Sequence, residues 1–173
     1  MFEWITSPEA RDDVHRLRSE HDAVLVGSGT ARSDDPSLTV RLGGWDGPQP
    51  RPVLIVGRRE LPPDLSILTR DPLIYRSEEG VDLRHVAEDL PQHGILSVLV
   101  EGGPTLAANL LGHGLVDELV WFFGAKVAGG VGVPAFPGEF ATLTDAIDLT
   151  VVDVTQIGPD IRILASVGRN RQE

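Results

Sequence analysis

Residues 95–105 read Ile-Leu-Ser-Val-Leu-Val-Glu-Gly-Gly-Pro-Thr, an apolar run that ends in a glycine-rich turn. A short apolar run bounded by turn residues is typical of a buried β-strand. Pro104 then stands where proline is favoured, in the first turn of a helix. We therefore predict a strand over 95–100, a turn at 101–103, and a helix that ends near Gly112 or Gly114.

Further strands and helices alternate on both sides of this stretch. Strands are predicted near 23–27, 53–57, 73–75 and 117–123, helices over 8–21 and 82–90, and a hairpin over 149–157 and 161–167. Such alternation favours an α/β fold of three layers, in which helices flank a mostly parallel sheet. The C-terminal hairpin adds antiparallel strands at one edge. Because the Gly/Pro-rich connection 43–52 is short, we interpret residues 1–173 as a single domain.

Two local features refine this prediction. Thr6 and Glu9 have the spacing of a capping box, which marks the start of the first helix. Gly27-Ser28-Gly29-Thr30 follows the first strand, and we predict a polar loop from there through Pro36. The turn resembles the start of a dinucleotide fingerprint, but Arg32 occupies the third glycine position, so a tight strand exit is an equally good reading.

Composition excludes several classes of protein. The 173 residues are 41% hydrophobic and 24% charged, which is typical of a globular domain. The net charge of −11 repels nucleic acid and anionic membranes, so neither is an expected partner. With no membrane-length apolar run and no basic-then-apolar start, we expect a soluble, cytoplasmic protein. The absence of cysteine removes disulfides, thiolate metal sites and cysteine nucleophiles, and the five histidines lack metal-ligand spacing, so no metal is predicted.

The turn at 101–105 is the strongest candidate for a binding site. We expect the amides of Thr105, Leu106 and Ala107 to lack intrahelical acceptors, which makes a helix start suitable for a phosphate. A capped helix without a ligand explains the same residues equally well. Glu101 would face the same space and accept hydrogen bonds from a sugar or base, unless it is simply solvated.

Other polar residues give weaker signals. Asp34 and Asp35 are adjacent carboxylates, for which a loop ordered by its own hydrogen bonds is favoured over a metal site. Arg18 and Arg41 are candidate phosphate clamps, because a guanidinium pairs with phosphate through two hydrogen bonds. Either arginine alone also fits a solvated surface position. The sequence identifies no catalytic residue.

Four blocks of sequence resemble one protein family. They are residues 4–18 (WITSPEARDDVHRLR), 24–30 (VLVGSGT), 34–41 (DDPSLTVR) and 100–106 (VEGGPTL). In order and approximate spacing they are similar to the reductase domain of the bifunctional riboflavin-biosynthesis deaminase–reductase. The resemblance implies a dihydrofolate-reductase-like fold. It also implies an NADPH-dependent enzyme that reduces 5-amino-6-(5-phosphoribosylamino)uracil, a small phosphorylated substrate, to the ribitylamino product.

The resemblance also implies roles for particular residues. Those matching the family's NADP contacts are Trp4, Thr30, Asp34, Gly103, Pro104, Thr105, Leu106, Ala107, Ala108 and Asn109. Those matching its substrate contacts are Arg18, Leu38, Arg41 and Glu101. From their place after the second strand, Arg58 or Arg59 is a further hypothesis for the 2′-phosphate of NADPH.

Two departures from the family pattern affect the expected function. The zinc signature of the deaminase half does not occur in these 173 residues. The family's domain begins with a strand before the position of Trp4, and here we expect that strand to be absent. Its loss would expose a strand edge, which favours a homodimer. It also leaves a truncated or decayed, non-catalytic nucleotide-binding homologue as an alternative to the reductase. Because this fold hosts several activities, a related reductase of another pterin-like or phosphoribosyl substrate is a further alternative.

Overall fold

The computed structural model describes residues 4–127, 132, 134–137 and 146–168. In these residues, seven strands form two sheets: β1 (Ala23–Gly27), β2 (Arg51–Val56), β3 (Leu73–Arg76), β4 (Val98–Val100), β5 (Glu118–Phe123), β6 (Leu149–Ile157) and β7 (Asp160–Val167). The first sheet has the order β3-β2-β1-β4, and all of its strands are parallel. The second has the order β5-β7-β6, and its strands are antiparallel. The predicted α/β class with a parallel sheet and a C-terminal hairpin is confirmed, but in the described residues the hairpin pairs with β5 in a separate sheet and not with an edge of the parallel sheet.

The position of β5 differs from the prediction. We expected it to extend the parallel sheet, but it pairs antiparallel with β7, with Trp121 opposite Ile163. The apolar run that identifies a strand carries no information about its direction, which is why this part of the prediction is wrong. In the described residues, β4 pairs only with β1, and β5 only with β7.

The described part of the chain also contains four α-helices and two 3-10 helices. They are α1 (Pro8–Ser19), α2 (Ser28–Asp34), α3 (Leu83–Asp89), α4 (Pro104–Gly112) and the 3-10 helices Ser66–Arg70 and Leu90–His93. In the ranges that the structure describes, no helix is both long enough and apolar enough to cross a bilayer.

Three local predictions need correction. The N-cap of α1 is Ser7, whose side chain accepts a hydrogen bond from the amide of Ala10, so the Thr6–Glu9 capping box is wrong by one residue. The segment after Gly27, which we predicted as a polar loop, is the helix α2. Its sequence shows no apolar periodicity, because Ala31 is its only buried residue. Strand β4 has three residues instead of the predicted six, because only Val98–Val100 pair with β1.

The parallel sheet is covered on both faces. On one face, Ala23 and Leu25 pack with residues of α3 and α4 such as Val86 and Leu106. On the other face, the alternate residues of β1 and β2 pack against Ala31 of α2, Leu38, and Ile67 of the first 3-10 helix. Because successive strand residues point to opposite faces, a single apolar strand contributes to both layers.

Helix α1 joins the two sheets through polar contacts. At its start, the amide of Ser7 donates to the carboxylate of Asp160 on β7 at 2.6 Å. In its middle, Asp13 forms an ion pair with Arg162, also on β7, at 3.1 Å. Near its end, Arg18 reaches the residue that follows β4. The helix is thereby fixed against both sheets.

Candidate functional site

The carboxyl ends of β1, β2 and β4 lie at one edge of the parallel sheet. Strand β1 ends at Gly27, β2 is followed by Gly57, and β4 is followed by Glu101. Their parallel pairing places these ends together. In open α/β sheets this edge is where ligands bind, so the candidate site is built here.

The turn after β4 supplies free amide donors. Gly103 is the N-cap of α4, and its carbonyl accepts from the amides of Leu106 at 3.0 Å and Ala107 at 3.2 Å. The prediction that these two amides lack acceptors is therefore wrong, because the N-cap carbonyl already accepts the first helical bonds. Among the described residues, the amides of Gly102, Gly103 and Thr105 have no acceptor. The expected role in anion binding thus rests on those three donors.

The two glycine-bearing turns lie against each other. A Cβ atom built on Gly103 would lie 3.3 Å from Oγ1 of Thr30, and one built on Gly27 would lie 3.7 Å from the side chain of Leu106. The missing Cβ at Gly103 leaves space beside the hydroxyl of Thr30. Three amides, a hydroxyl and this open space at a helix start suit a phosphate group. Asp34, the last residue of α2, is exposed, and no hydrogen bond joins it to this turn.

An apolar groove adjoins the same turn. It has a volume of about 410 Å³ and is lined by Gly102 and Pro104 on one side and by β5 residues, including Trp121, on the other. Phe136 also lines it and packs edge-on against Trp121 with ring centroids 5.4 Å apart. A groove of this size and lining suits an aromatic part of a small organic ligand. Of the other matched positions, Ala107 lines this groove, Ala108 is half-buried and Asn109 is exposed.

Arg18 and Glu101 form an ion pair beside this turn. Nε and one terminal nitrogen of Arg18 each donate to a different carboxylate oxygen of Glu101, both at 2.6 Å. The remaining terminal nitrogen donates to the carbonyl of Thr39 at 2.9 Å. Arg18 is 9% exposed, so this charge is held by protein contacts. Its predicted action as a phosphate clamp would require the guanidinium to leave these partners, whereas a role in orienting Glu101 requires no movement.

His15 joins the same group of contacts from α1. Its Nδ1 lies 3.0 Å from the carbonyl of Thr39 and 3.3 Å from the amide of Arg41, so the ring tautomer decides which of them it serves. The pKa of His15 is lowered, first by burial and then by the positive charges of Arg18 and Arg41. The neutral ring is therefore the favoured form at this position.

Leu38 and Arg41 lie on the segment that follows α2. The side chain of Leu38 is 2% exposed and packs in the core, so a ligand at this point would meet its backbone. Arg41 donates from one terminal nitrogen to the hydroxyl of Ser37 at 2.9 Å and is otherwise exposed. The structure thus brings Arg18, Leu38, Arg41 and Glu101 into one region through the contacts of Thr39 and His15.

Trp4 lies in a different groove. This groove, of about 310 Å³, is lined by residues 4–8 together with Arg11, Lys126 and Asp160. The Arg11 guanidinium stacks 5.0 Å from the centre of the Trp4 ring, and Lys126 donates to the Trp4 carbonyl at 2.5 Å. In the described part of the chain, no hydrogen bond or ring contact joins Trp4 to the turn at 102–105, and the two line different grooves, so the predicted cofactor residues are not all brought together.

Arg58 and Arg59 follow β2 at the same edge of the sheet and are exposed. Nε of Arg58 donates to the carbonyl of Glu78 at 2.8 Å, and the carbonyl of Arg59 accepts from Arg32 at 3.5 Å. Arg32 therefore lies beside the backbone of Arg59 beyond β1 and β2. Within the described ranges, no group of three or more acidic or histidine side chains is arranged to hold a metal ion.

Sequence reasoning missed several residues that shape this site. His15 shares a face of α1 with Arg18, and their spacing of three residues is the only signal in the sequence. Arg70 donates to the carbonyls of Ser37 and Leu38, and Asp35 accepts two hydrogen bonds from Ser66. These contacts join segments that are more than 30 positions apart, and no local pattern indicates them.

Comparison with known proteins identifies relatives over nearly the whole chain. The chain is 34% identical over 170 residues to the riboflavin biosynthesis protein RibD of Mycobacterium tuberculosis, covering 96% of this chain and 48% of the relative. It is 32% identical over 193 residues to RibD of Escherichia coli, covering 92% of this chain and 52% of the relative. The chain thus spans about half the length of the curated relatives it matches.

Solved structures agree with this result. Acinetobacter baumannii RibD matches with a TM-score of 0.86 and 27% identity, over 96% of this chain and 52% of that one. A diaminohydroxyphosphoribosylaminopyrimidine deaminase/5-amino-6-(5-phosphoribosylamino)uracil reductase from Thermotoga maritima matches with a TM-score of 0.77 and 27% identity, over 96% and 50% of the two chains. A family model described as the RibD C-terminal domain matches residues 2–163. The chain belongs to the RibD C-terminal domain family.

Proposed function

We propose that this domain binds NADPH and reduces 5-amino-6-(5-phosphoribosylamino)uracil to its ribitylamino product, a step of riboflavin biosynthesis. Family membership supports the proposal, since one similar solved structure is named as a reductase of this substrate. The local chemistry supports it too. In a chain of net charge −11, the site concentrates amide donors and arginines, which are the groups that phosphorylated ligands require.

One observation carries the proposal: Glu101 and Gly102 are consecutive residues. The carboxylate that Arg18 orients therefore lies directly beside the amides that suit a phosphate. A cofactor bound through its phosphates at this turn and a sugar bound by Glu101 would be neighbours. Proximity of donor and acceptor is what a hydride transfer needs, and a displacement of about 1 Å can cost on the order of a hundredfold in rate.

The residues of the chain would bind and orient the two ligands. When bound, NADPH supplies the hydride, which is added to the carbon of the ribosyl ring that bears the amine; the bond from that carbon to the ring oxygen breaks, and the oxygen takes a proton. Arg41, with one nitrogen on Ser37 and the rest exposed, is the residue we assign to the substrate phosphate. Glu101 would accept hydrogen bonds from sugar hydroxyls while its other lone pairs remain on Arg18.

Loss of NADPH absorbance in the presence of the phosphoribosylamino-uracil substrate tests this function. The purified chain should oxidise NADPH only when the substrate is present, and the product should contain a ribityl group by mass spectrometry. The variant Arg41→Ala should raise KM about tenfold or more, because a charged contact to the phosphate is lost. If the chain binds NADPH but does not turn over the substrate, the non-catalytic nucleotide-binding alternative is supported instead.

We further propose that the domain acts as a cytoplasmic homodimer in which a second copy covers strand β6. Val151, Val152 and Val154 are 58–60% exposed, and in the described residues β6 pairs on one side only. The strand carries a single charged residue, Asp153, which Arg162 neutralises at 3.2 Å, so the surface is not repelled by its copy.

Light scattering should give a dimer for the wild type and a monomer for Val154→Lys. The control Leu96→Lys, at another exposed apolar residue, should remain dimeric.

A further inference from the structure

Two segments at the edge of the site are tied together by four hydrogen bonds, and a fifth ties one of them to Pro50. The carboxylate of Asp35 accepts from the amide of Ser66 at 2.7 Å and from its hydroxyl at 2.8 Å. At the other end of the same 3-10 helix, Arg70 donates to the carbonyls of Ser37 at 2.9 Å and Leu38 at 3.2 Å. Its second terminal nitrogen donates to the carbonyl of Pro50 at 2.9 Å. The 3-10 helix Ser66–Arg70 therefore holds the segment 35–38 from both ends.

The segment held in this way is conformationally strained. Within the described ranges, the non-glycine residues with positive φ are Asp35 at 38°, Leu38 at 51° and Asp71 at 49°. All three belong to, or directly follow, the two joined segments. A bulky residue in the left-handed region persists only where surrounding contacts fix it, and such residues cluster at binding sites.

The left-handed turn at Leu38 directs the chain toward the Arg18–Glu101 pair. The side chain of Leu38 is anchored in the core, and its carbonyl is held by Arg70. The next carbonyl, of Thr39, then accepts from Arg18 and lies within reach of His15. Two residues later the chain presents Arg41 on the surface. The position of Arg41 thus depends on the conformation of Leu38.

The guanidinium of Arg70 is suited to hold backbone carbonyls. Among the described residues, no carboxylate forms an ion pair with it. Burial lowers the pKa of its guanidinium, and the charge of Arg18 lowers it further. A planar guanidinium reaches several carbonyls at fixed angles, which a lysine ammonium does not.

We infer that Arg70 is a positioning residue of the substrate site: its guanidinium holds the carbonyls of Ser37, Leu38 and Pro50, keeps Leu38 in its left-handed conformation and so presents Arg41 to the substrate phosphate. This inference rests on the proposed reductase function. We therefore expect Arg70 to affect substrate affinity although it contacts neither ligand.

The test compares Arg70→Met and Arg70→Lys with the control Arg51→Met. Arg51 also donates to backbone and carboxylate oxygens, those of Asp71, but it does not contact the segment 35–41. For Arg70→Met we expect KM for the aminouracil substrate to rise about tenfold or more, with the Kd for NADPH unchanged within about twofold. Arg70→Lys should give an intermediate KM, and Arg51→Met should match the wild type.

Amide hydrogen exchange gives a second readout that does not depend on activity. In Arg70→Met, the peptide covering residues 36–42 should exchange faster, while the peptides of β1 and β2 keep their protection. An unchanged KM together with unchanged exchange would overturn the inference, and so would an equal loss of NADPH and substrate binding. If Arg70→Met does not fold, an unchanged KM in Arg70→Lys overturns it instead. A wild-type chain without turnover would contradict the proposed function, and the exchange of residues 36–42 would still decide the role of Arg70.

Discussion

The guanidinium of Arg18 binds the carboxylate of Glu101 through two hydrogen bonds of 2.6 Å, although the two residues stand 83 positions apart in the chain. The pair connects the end of α1 with the end of β4. The side chains of Arg18 and Glu101 are 11% and 21% exposed, so water screens their attraction weakly. Removing one partner would leave a largely buried charge unpaired, which is more costly than losing the attraction itself.

We predict that Arg18→Met and Glu101→Gln each lower the free energy of unfolding, and that their effects are not additive. The coupling energy from a double-mutant cycle should be about 2 kcal/mol, because the pair is bidentate and mostly buried. Urea unfolding of the wild type, the single variants and the double variant measures it. The control cycle on the exposed Arg51–Asp71 pair, at 3.0 Å, should give a coupling near zero. Equal couplings for the two pairs would contradict the prediction.

The folding stability should depend on pH through His15. Its pKa lies below the ordinary value of 6.5 because of burial and of the charges of Arg18 and Arg41. The unfolded chain therefore takes up a proton at a higher pH than the folded chain does. The stabilisation from the neutral ring is present above pH 6.5 and is lost as the pH falls through the pKa of the folded state.

We expect the variant His15→Asn to have a weaker dependence of stability on pH. The free energies of unfolding of wild type and variant should converge over the interval below pH 6.5, because only the wild type loses the contribution of the neutral ring. Urea midpoints at several pH values in this interval provide the measurement. Curves that remain parallel over the interval would show that His15 makes no such contribution.

Residue Gly103 provides a test of the anion site. Its backbone conformation, φ −63° and ψ 169°, is open to any residue, so a side chain should not prevent folding. A Cβ at this position would lie 3.3 Å from Oγ1 of Thr30 and fill the space beside the free amides. We predict that Gly103→Val folds but binds NADPH about tenfold or more weakly.

Calorimetric titration with NADPH measures this effect, and circular dichroism checks the fold. The matched control is Gly112→Ala at the other end of α4, where an added Cβ meets nothing within 4 Å. It should keep the wild-type affinity and be slightly more stable, since alanine favours helices over glycine. Normal NADPH binding by a folded Gly103→Val protein would rule out a phosphate at this turn.

Some elements of this fold are specified by local sequence patterns, and others depend on contacts between distant segments. The strands β1 and β2 were predicted at nearly the observed positions, because buried parallel strands are continuous apolar runs. The direction of β5 was not predicted, because its pairing with β7 depends on residues about 40 positions away. Helix α2 was missed because Ser28–Asp34 contains a glycine and no apolar periodicity.

The candidate site was only partly predictable for the same reason. The turn at Gly103 is contained in a few adjacent residues, so its potential for phosphate binding could be seen in the sequence. The engagement of Arg18 by Glu101, and of Leu38 by Arg70, arises only when the folded chain brings distant segments together. Sequence patterns identify residue types that suit a ligand. Only the structure shows which of these residues are already bound to other parts of the protein.

The last prediction concerns the choice between NADPH and NADH. Arg58 and Arg59 are exposed beyond the carboxyl end of β2, and Arg32 of α2 donates to the carbonyl of Arg59 at 3.5 Å. A guanidinium can pair with a dianionic group such as the 2′-phosphate through two hydrogen bonds, which suits either arginine to this role. We predict that NADPH binds more tightly than NADH, and that Arg58→Ala or Arg59→Ala weakens NADPH binding about tenfold with little change for NADH. Because the contact is exposed, the preference should also decline as salt is added.

Titration calorimetry with both cofactors provides the test, and Arg84→Ala on α3 is the control for removing an exposed arginine. Equal affinity of the wild type for the two cofactors would refute the preference, and unchanged NADPH binding in both variants would refute the assignment to Arg58 and Arg59.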